Sequence, residues 1–186
     1  MTEKISSYRF GVGKYFHEKE VLSHLREELR GFSDKALVIS GKKAMEALEE
    51  QDFRKCLKDA GVSFREELYV GYPNTEKVEY FSKLAREEGY GVLIGAGGGK
   101  IMDLSKAVAN QAGLPLLLIP TTEATCAAFT PLSYIRRKEN TIRLSTLTGK
   151  WMWYWWMKQL WLHKHQDFLL PEWWMPWQSM SRFLMG

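Results

Sequence analysis

Long hydrophobic runs are missing from this chain of 186 residues: charge interrupts every stretch short of the roughly 18 apolar residues that a membrane-crossing helix needs. Glu3 and Lys4 open the chain without an apolar segment behind them, so no secretory signal is expected, and the expected compartment is the cytoplasm. Cysteine is scarce. Cys56 and Cys126 form no CxxC pair, which excludes a disulfide framework or a thiolate zinc site and leaves two buried or half-buried thiols. Biased composition is absent too: 45% hydrophobic and 26% charged residues exclude a disordered, collagen-like or mucin-like chain. Lys and Arg outnumber Asp and Glu by 26 to 22, but the two signs are interspersed along helical stretches. That pattern reads as solvated helix faces, so neither a nucleic acid nor a membrane partner is expected. Tryptophan is absent from the first 150 residues, and all eight fall between Trp151 and Trp177.

What is present before that change is an alternation of strands and helices. The apolar run 36–40 ends at Gly41, and Ala44, Ala47 and Leu48, then Phe53 and Leu57, recur at helical spacing. Tyr69 and Val70 are read as a short second strand. Pro73, Asn74 and Thr75 carry helix-start chemistry ahead of a face made by Val78, Phe81, Leu84 and Ala85. The run 91–94 is a third strand, followed by Gly95-Ala96-Gly97-Gly98-Gly99-Lys100 and a helix through Met102, Ala107 and Val108 that ends near Gly113. A fourth, fully buried strand spans 114–120. Continuous apolar strands separated by helices predict an α/β fold with a parallel sheet covered on both faces.

A glycine-rich turn between strand and helix lets the backbone approach a pyrophosphate, and the helix N-terminus offers N–H donors and a positive dipole end. Lys100 stands where the Rossmann fingerprint needs a third glycine, and Ile101 stands where a Walker A loop needs Ser or Thr. Taken alone, the run fits a phosphate cradle and a tight packing turn equally. Lys100 is either a phosphate contact or a solvated first-turn residue, and Asp103 either caps the turn or contacts a ligand group.

The segment Gly97-Gly98-Gly99-Lys100-Ile101-Met102-Asp103-Leu104-Ser105-Lys106-Ala107, followed by Pro120-Thr121-Thr122-Glu123-Ala124-Thr125-Cys126-Ala127-Ala128, resembles the iron- or zinc-dependent alcohol dehydrogenases, in particular their glycerol dehydrogenase branch. The family pattern is GGGK-x-x-D-x-x-K-A and then P-T-x-x-[SA]-T-[DC]-A, and Thr130-Pro131-Leu132-Ser133-Tyr134-Ile135 agrees downstream. The resemblance covers about residues 8–136. It implies a Rossmann-like, parallel-sheet nucleotide-binding domain of the dehydroquinate-synthase-like fold, to which an all-helical metal domain is normally attached. It also implies that Gly97, Gly98, Gly99 and Lys100 cradle the pyrophosphate of NAD or NADP with Asp103 close by, and that Thr121, Thr122, Thr125, Thr130 and Leu132 line the rest of the cofactor path. Thr hydroxyls suit that path because they donate and accept without adding charge.

Two departures bear on chemistry. Members acting on glycerol usually have Asp at the position of Cys126, a substrate-binding position, and the Thr-Cys-Ala-Ala version resembles relatives acting on 2-hydroxy or 2-oxo acids. After the strand 36–40, where many NAD-preferring members carry an acid for the ribose, Lys42 and Lys43 stand. Two lysines suit the 2′-phosphate of NADP, although an exposed lysine pair is usually just a helix-start surface.

Residues 137–186 depart from the family altogether. Trp and Met have one codon each, so Trp151-Met152-Trp153-Tyr154-Trp155-Trp156-Met157 is encoded by TGG ATG TGG TAY TGG TGG ATG. Read from its third base, that string gives Asp-Val-Val-Leu-Val-Asp, the strand the family has at this point. The same shift at 171–178 permits Gly-Met-Val-Asp-Ala-Leu-Ala, whose Asp would be the family's first metal ligand. A frame slip near Arg136 to Lys138 is therefore expected, with 1–136 as the NAD(P)-binding domain and 137–186 as an out-of-frame tail. His163 and His165 lack a third ligand in register and read as incidental. The family reaction is metal-assisted, NAD(P)-dependent oxidation of a polyol or secondary alcohol, glycerol to dihydroxyacetone. This chain, lacking the zinc or iron(II) site, is expected to show little or no activity. The alternatives are 2-oxo acid reduction or a non-catalytic nucleotide-binding fragment, self-associating or associating through an exposed face.

Overall fold

The computed structural model describes residues 8–10, 13–18, 21–29, 32–122, 126–128, 130–137, 142–146 and 152–157. In chain order these form β1 (Tyr8–Phe10), β2 (Gly13–Glu18), α1 (Leu25–Leu29), β3 (Lys35–Ser40), α2 (Lys42–Glu49), α3 (Phe53–Asp59) and β4 (Ser63–Leu68). There follow α4 (Thr75–Glu87), β5 (Val92–Gly97), α5 (Gly99–Ala112), β6 (Leu116–Pro120), β7 (Leu132–Arg136), β8 (Ile142–Thr146) and β9 (Met152–Met157). Seven strands make one sheet in the order β1-β2-β9-β6-β5-β3-β4, parallel except where β1 returns against β2. β7 and β8 form a separate antiparallel pair.

The period of two along each strand sorts the core into two layers. Leu37, Ile39, Leu93, Leu116 and Leu118 face α4 and α5, where they meet Val78, Phe81, Met102 and Val108. Their alternates Ala36, Val38, Ile94, Leu117 and Ile119 face α1, α2 and α3, against Leu25, Leu29, Met45, Leu48, Phe53 and Leu57. Cys56 sits half-buried beside this second layer, and burial first, then Asp59 and Asp52, pushes its thiol up. A protonated thiol there is a small hydrophobe rather than a nucleophile.

The predicted helix start at Asn74 is realised as a cap, its Oδ1 accepting from the Lys77 amide at 2.8 Å. The predicted stop at Gly113 is the left-handed C-cap of α5, at φ 73°. The second strand is displaced: it runs over Ser63–Leu68, and Tyr69 and Val70 follow it, with Val70 87% exposed. β4 is an edge strand rich in charge, without the apolar run that marks the inner strands. Arg54 from α3 holds Glu66 in a fork at 2.7 and 2.8 Å, and Arg65 pairs Glu67 and Glu88. Charge along an edge blocks pairing with other chains.

The sheet draws one strand from the tryptophan-rich stretch. β9 lies parallel between β2 and β6, with Met152 opposite both Gly13 and Leu116. The rest of that stretch, His163 and His165 included, lies outside the described residues.

β5 and α5 pack so closely that a Cβ on Gly95 would stand 2.4 Å from Ser105 Oγ, 2.6 Å from Ser105 Cβ and 2.9 Å from Leu118 Cδ2. Gly95→Ala is expected to cost about 1–3 kcal/mol by overpacking, read as a lowered urea midpoint at unchanged slope.

Candidate functional site

β3 and β5 are neighbours whose continuations leave in opposite directions, from β3 to β4 on one side and from β5 to β6 on the other. Such a switch point opens a crevice at the strands' carboxyl ends, which is where open α/β sheets take ligands. Here the two ends are Ser40 and Gly97, joined by the Gly41 amide donating to the Ala96 carbonyl at 3.4 Å.

The glycine turn forms the wall of the crevice. A Cβ on Gly97 would meet Ile101 Cγ1 at 2.8 Å, and one on Gly98 would meet Thr122 Cγ2 at 3.0 Å. Gly98 is the N-cap of α5, its carbonyl accepting from the Ile101 and Met102 amides at 3.0 and 3.1 Å. The amides of Gly99 and Lys100 therefore belong to the first turn, whose N–H groups have no intrahelical acceptor. A backbone bare of Cβ atoms with helix-start donors fits the pyrophosphate of a dinucleotide. Thr121 and Thr122 are brought to the same place, since the Thr121 amide donates to the Gly97 carbonyl at 3.1 Å.

Lys100 is exposed, and its Nζ lies 3.8 Å above the ring of Tyr72, with the Arg136 guanidinium 3.6 Å from the same ring. Tyr72 is held in turn: Tyr69 Oη donates to its carbonyl at 2.5 Å, and the Arg136 amide donates to the Pro73 carbonyl at 2.9 Å. Burial pushes the Tyr69 hydroxyl up, which keeps it a donor. Tyr72 was not legible as a site residue, because both cations come from distant parts of the chain and only the fold stacks them.

Asp103 is buried, with its Oδ1 3.0 Å from Lys106 Nζ one helical turn on. The carbonyls of Thr130 and Leu132 both accept from that same Nζ. Thr125 lies outside the described residues. Cys126 opens a short 3-10 turn, but its side chain is outside them as well. Lys42 and Lys43 stand exposed in the first turn of α2, beside the β3 end of the crevice, with no acid in that turn. Among the described residues no three His, Cys, Asp or Glu side chains converge, so the donor set there does not fit a metal ion. No helix among them is long and apolar enough to cross a membrane.

Sheet order, layers and glycine turn together define a Rossmann-like, doubly wound α/β domain. The chain belongs to the iron-containing alcohol dehydrogenase family, whose pattern it matches over residues 13–151. It is 30% identical over 127 residues to a glycerol dehydrogenase of Escherichia coli O6:H1 strain CFT073, covering 68% of this chain and 34% of that protein. It is 35% identical over 130 residues to hydroxycarboxylate dehydrogenase A of Escherichia coli K12, covering 66% of this chain and 33% of that protein. The chain thus spans about a third of the length of these relatives. The crystal structure of an iron-containing alcohol dehydrogenase from Thermotoga maritima superposes with a TM-score of 0.72 at 22% identity, over 83% of this chain and 48% of that one, and shows the same fold.

Each cation over an exposed ring contributes roughly 0.5–1 kcal/mol. Tyr72→Leu is expected to cost about 1–2 kcal/mol in urea denaturation, and adding Arg136→Ala to it to cost almost nothing more, because the two share one contact.

Proposed function

We propose that this chain is the nucleotide-binding half of a nicotinamide-dependent oxidoreductase, taking NAD or NADP across the crevice between the carboxyl ends of β3 and β5. The observation that carries the reading is the glycine turn at the start of α5, where a Cβ would clash with Ile101 at Gly97 and crowd Thr122 at Gly98, and where the helix-start amides stand beside the switch point. The dinucleotide, when bound, supplies the hydride-transfer chemistry. The work of this chain's own residues is binding and orientation: Gly97, Gly98 and Gly99 admit the pyrophosphate, Lys100 adds a cation beside it, and Thr121, Thr122 and Thr130 offer groups along the path. Held geometry of this kind is what turns an encounter into a reactive one.

The names of the relatives point to a small polyol or a 2-hydroxy acid as the substrate class of the whole protein. Cys126 in place of an acid favours the hydroxy or oxo acid side, with a thiol as a small apolar contact. Lys42 and Lys43, with no acid in their turn, favour NADP over NAD. Residues 137–186 are read as the product of a slipped frame. The reading is supported by the nucleotides that encode Trp151–Met157, the stretch containing β9, which encode a second strand pattern, Asp-Val-Val-Leu-Val-Asp, one frame away.

Calorimetric titration of the chain with NADH and NADPH is expected to give one saturable site. Gly98→Val, which pushes a side chain against Thr122, is expected to weaken it at least about tenfold, or about 1.4 kcal/mol. Absence of binding by both nucleotides would overturn the reading. Lys42→Glu with Lys43→Glu is expected to lower affinity for NADPH about tenfold and leave NADH within about twofold, because only the former presents a phosphate there. The gene sequence from the codon of Ser133 onward, translated in three frames, is expected to continue the Asp-Val-Val-Leu-Val-Asp strand into a helical domain carrying two metal-binding histidines.

A further inference from the structure

Lys106 has no exposed surface, an unusual state for an ammonium. Burying such a charge is costly unless every donor finds an acceptor. Its Nζ lies 3.0 Å from Asp103 Oδ1 and donates to the Ala127 carbonyl at 3.0 Å, the Thr130 carbonyl at 3.2 Å and the Leu132 carbonyl. Its ion-pair partner is thus on its own helix, and its three hydrogen-bond acceptors are backbone carbonyls, two in the connection from β6 to β7 and one at Leu132, the first residue of β7. Side chains do not select those three contacts; the chain's path does. Ala127 and Ala128 pack on α5 in the same core layer, as does Ile135 of β7.

The other end of that connection is tied to the glycine turn, through the Thr121 amide on the Gly97 carbonyl. The connection is therefore fixed at both ends to the β5–α5 unit, at its start by a backbone bond and at its end by a buried cation. We infer that Lys106 is a positioning residue for nucleotide binding: it holds the carbonyls of Ala127, Thr130 and Leu132 toward α5 and so fixes the β6–β7 connection against the glycine cradle. Lys106 never meets the ligand itself, because its ammonium is enclosed by Asp103 and those carbonyls. The inference rests on the nucleotide-binding reading above. A lysine does this where a hydrophobe cannot, since an apolar side chain of the same length fills the space and leaves three inward-facing carbonyls without a donor.

The test uses the full chain labelled uniformly with ¹⁵N, together with Lys106→Met and Val108→Ala, a core truncation on the same helix that leaves the tie intact. Wild-type chain is expected to show one slowly exchanging ammonium signal, assigned by its loss in Lys106→Met. Saturating NADPH should move that signal and slow exchange of the Ala127, Ala128, Thr130 and Leu132 amides. Lys106→Met should speed exchange of those amides at least tenfold and raise the Kd for NADPH at least tenfold, whereas Val108→Ala should lower the Tm with less than a twofold change in Kd. Unchanged affinity in Lys106→Met, or an equal loss in Val108→Ala, overturns the positioning role while leaving nucleotide binding standing. If Lys106→Met does not fold, the wild-type signals decide, and an ammonium signal and amides unmoved by saturating NADPH overturn the role. A wild-type chain that binds neither NADH nor NADPH overturns the nucleotide-binding reading, and this role with it.

Discussion

The closeness of α5 to β5 and β6 is the constraint from which the rest follows. Gly95 leaves room for Ser105 and Leu118, Gly97 leaves room for Ile101, and the helix consequently begins directly where the strand ends. Residues 101–109 of α5 are then buried without interruption, because the sheet lies on one side of the helix while α4, the Cys126–Ala128 turn and β7 lie on the others. A helix enclosed in this way contributes roughly 1.5–3 kcal/mol for each large apolar side chain it buries, and Ile101, Met102, Leu104 and Val108 all count. The same enclosure makes its polar members expensive, which is why Asp103 is paired with Lys106, and Lys106 in turn donates to backbone carbonyls.

Packing and the proposed function share these glycines. The absence of Cβ atoms that lets α5 settle on the sheet also leaves backbone amides uncovered at the switch point. Of the two explanations that the glycine run allowed in sequence, the tight packing turn is observed, and the proposed phosphate cradle would lie in the space it leaves at the mouth of the crevice. Cations are placed around that mouth with different freedoms. Lys42 and Lys43 stand in solvent, Lys100 and Arg136 share the ring of Tyr72, and Lys106 is enclosed.

β9 gives the tryptophan-rich stretch a structural role that composition did not suggest. It fills the place between β6 and β2 and brings β1 and β2 into the main sheet. Backbone ladders are indifferent to side-chain identity at first order, so a strand of bulky residues takes a place that an aliphatic strand would also fill.

Sequence by itself determined the α/β class, the parallel sheet, the turn from β5 into α5, the Asn74 cap, the Gly113 stop and the family, because each rests on contacts between residues near in the chain or on a contiguous motif. It was misled at β4, where an edge strand carries charge in place of an apolar run, and it was silent on β1, β2, α1 and the β7–β8 pair, whose short elements carry weak periodicity. Only the tertiary structure decided what Tyr72 and Lys106 do. Stacking two cations on one ring and turning three carbonyls toward one ammonium both bring together groups remote in sequence, and no local pattern encodes such a meeting. The chemistry of a residue is written in its type, but the partners that give that chemistry a purpose are chosen by the fold.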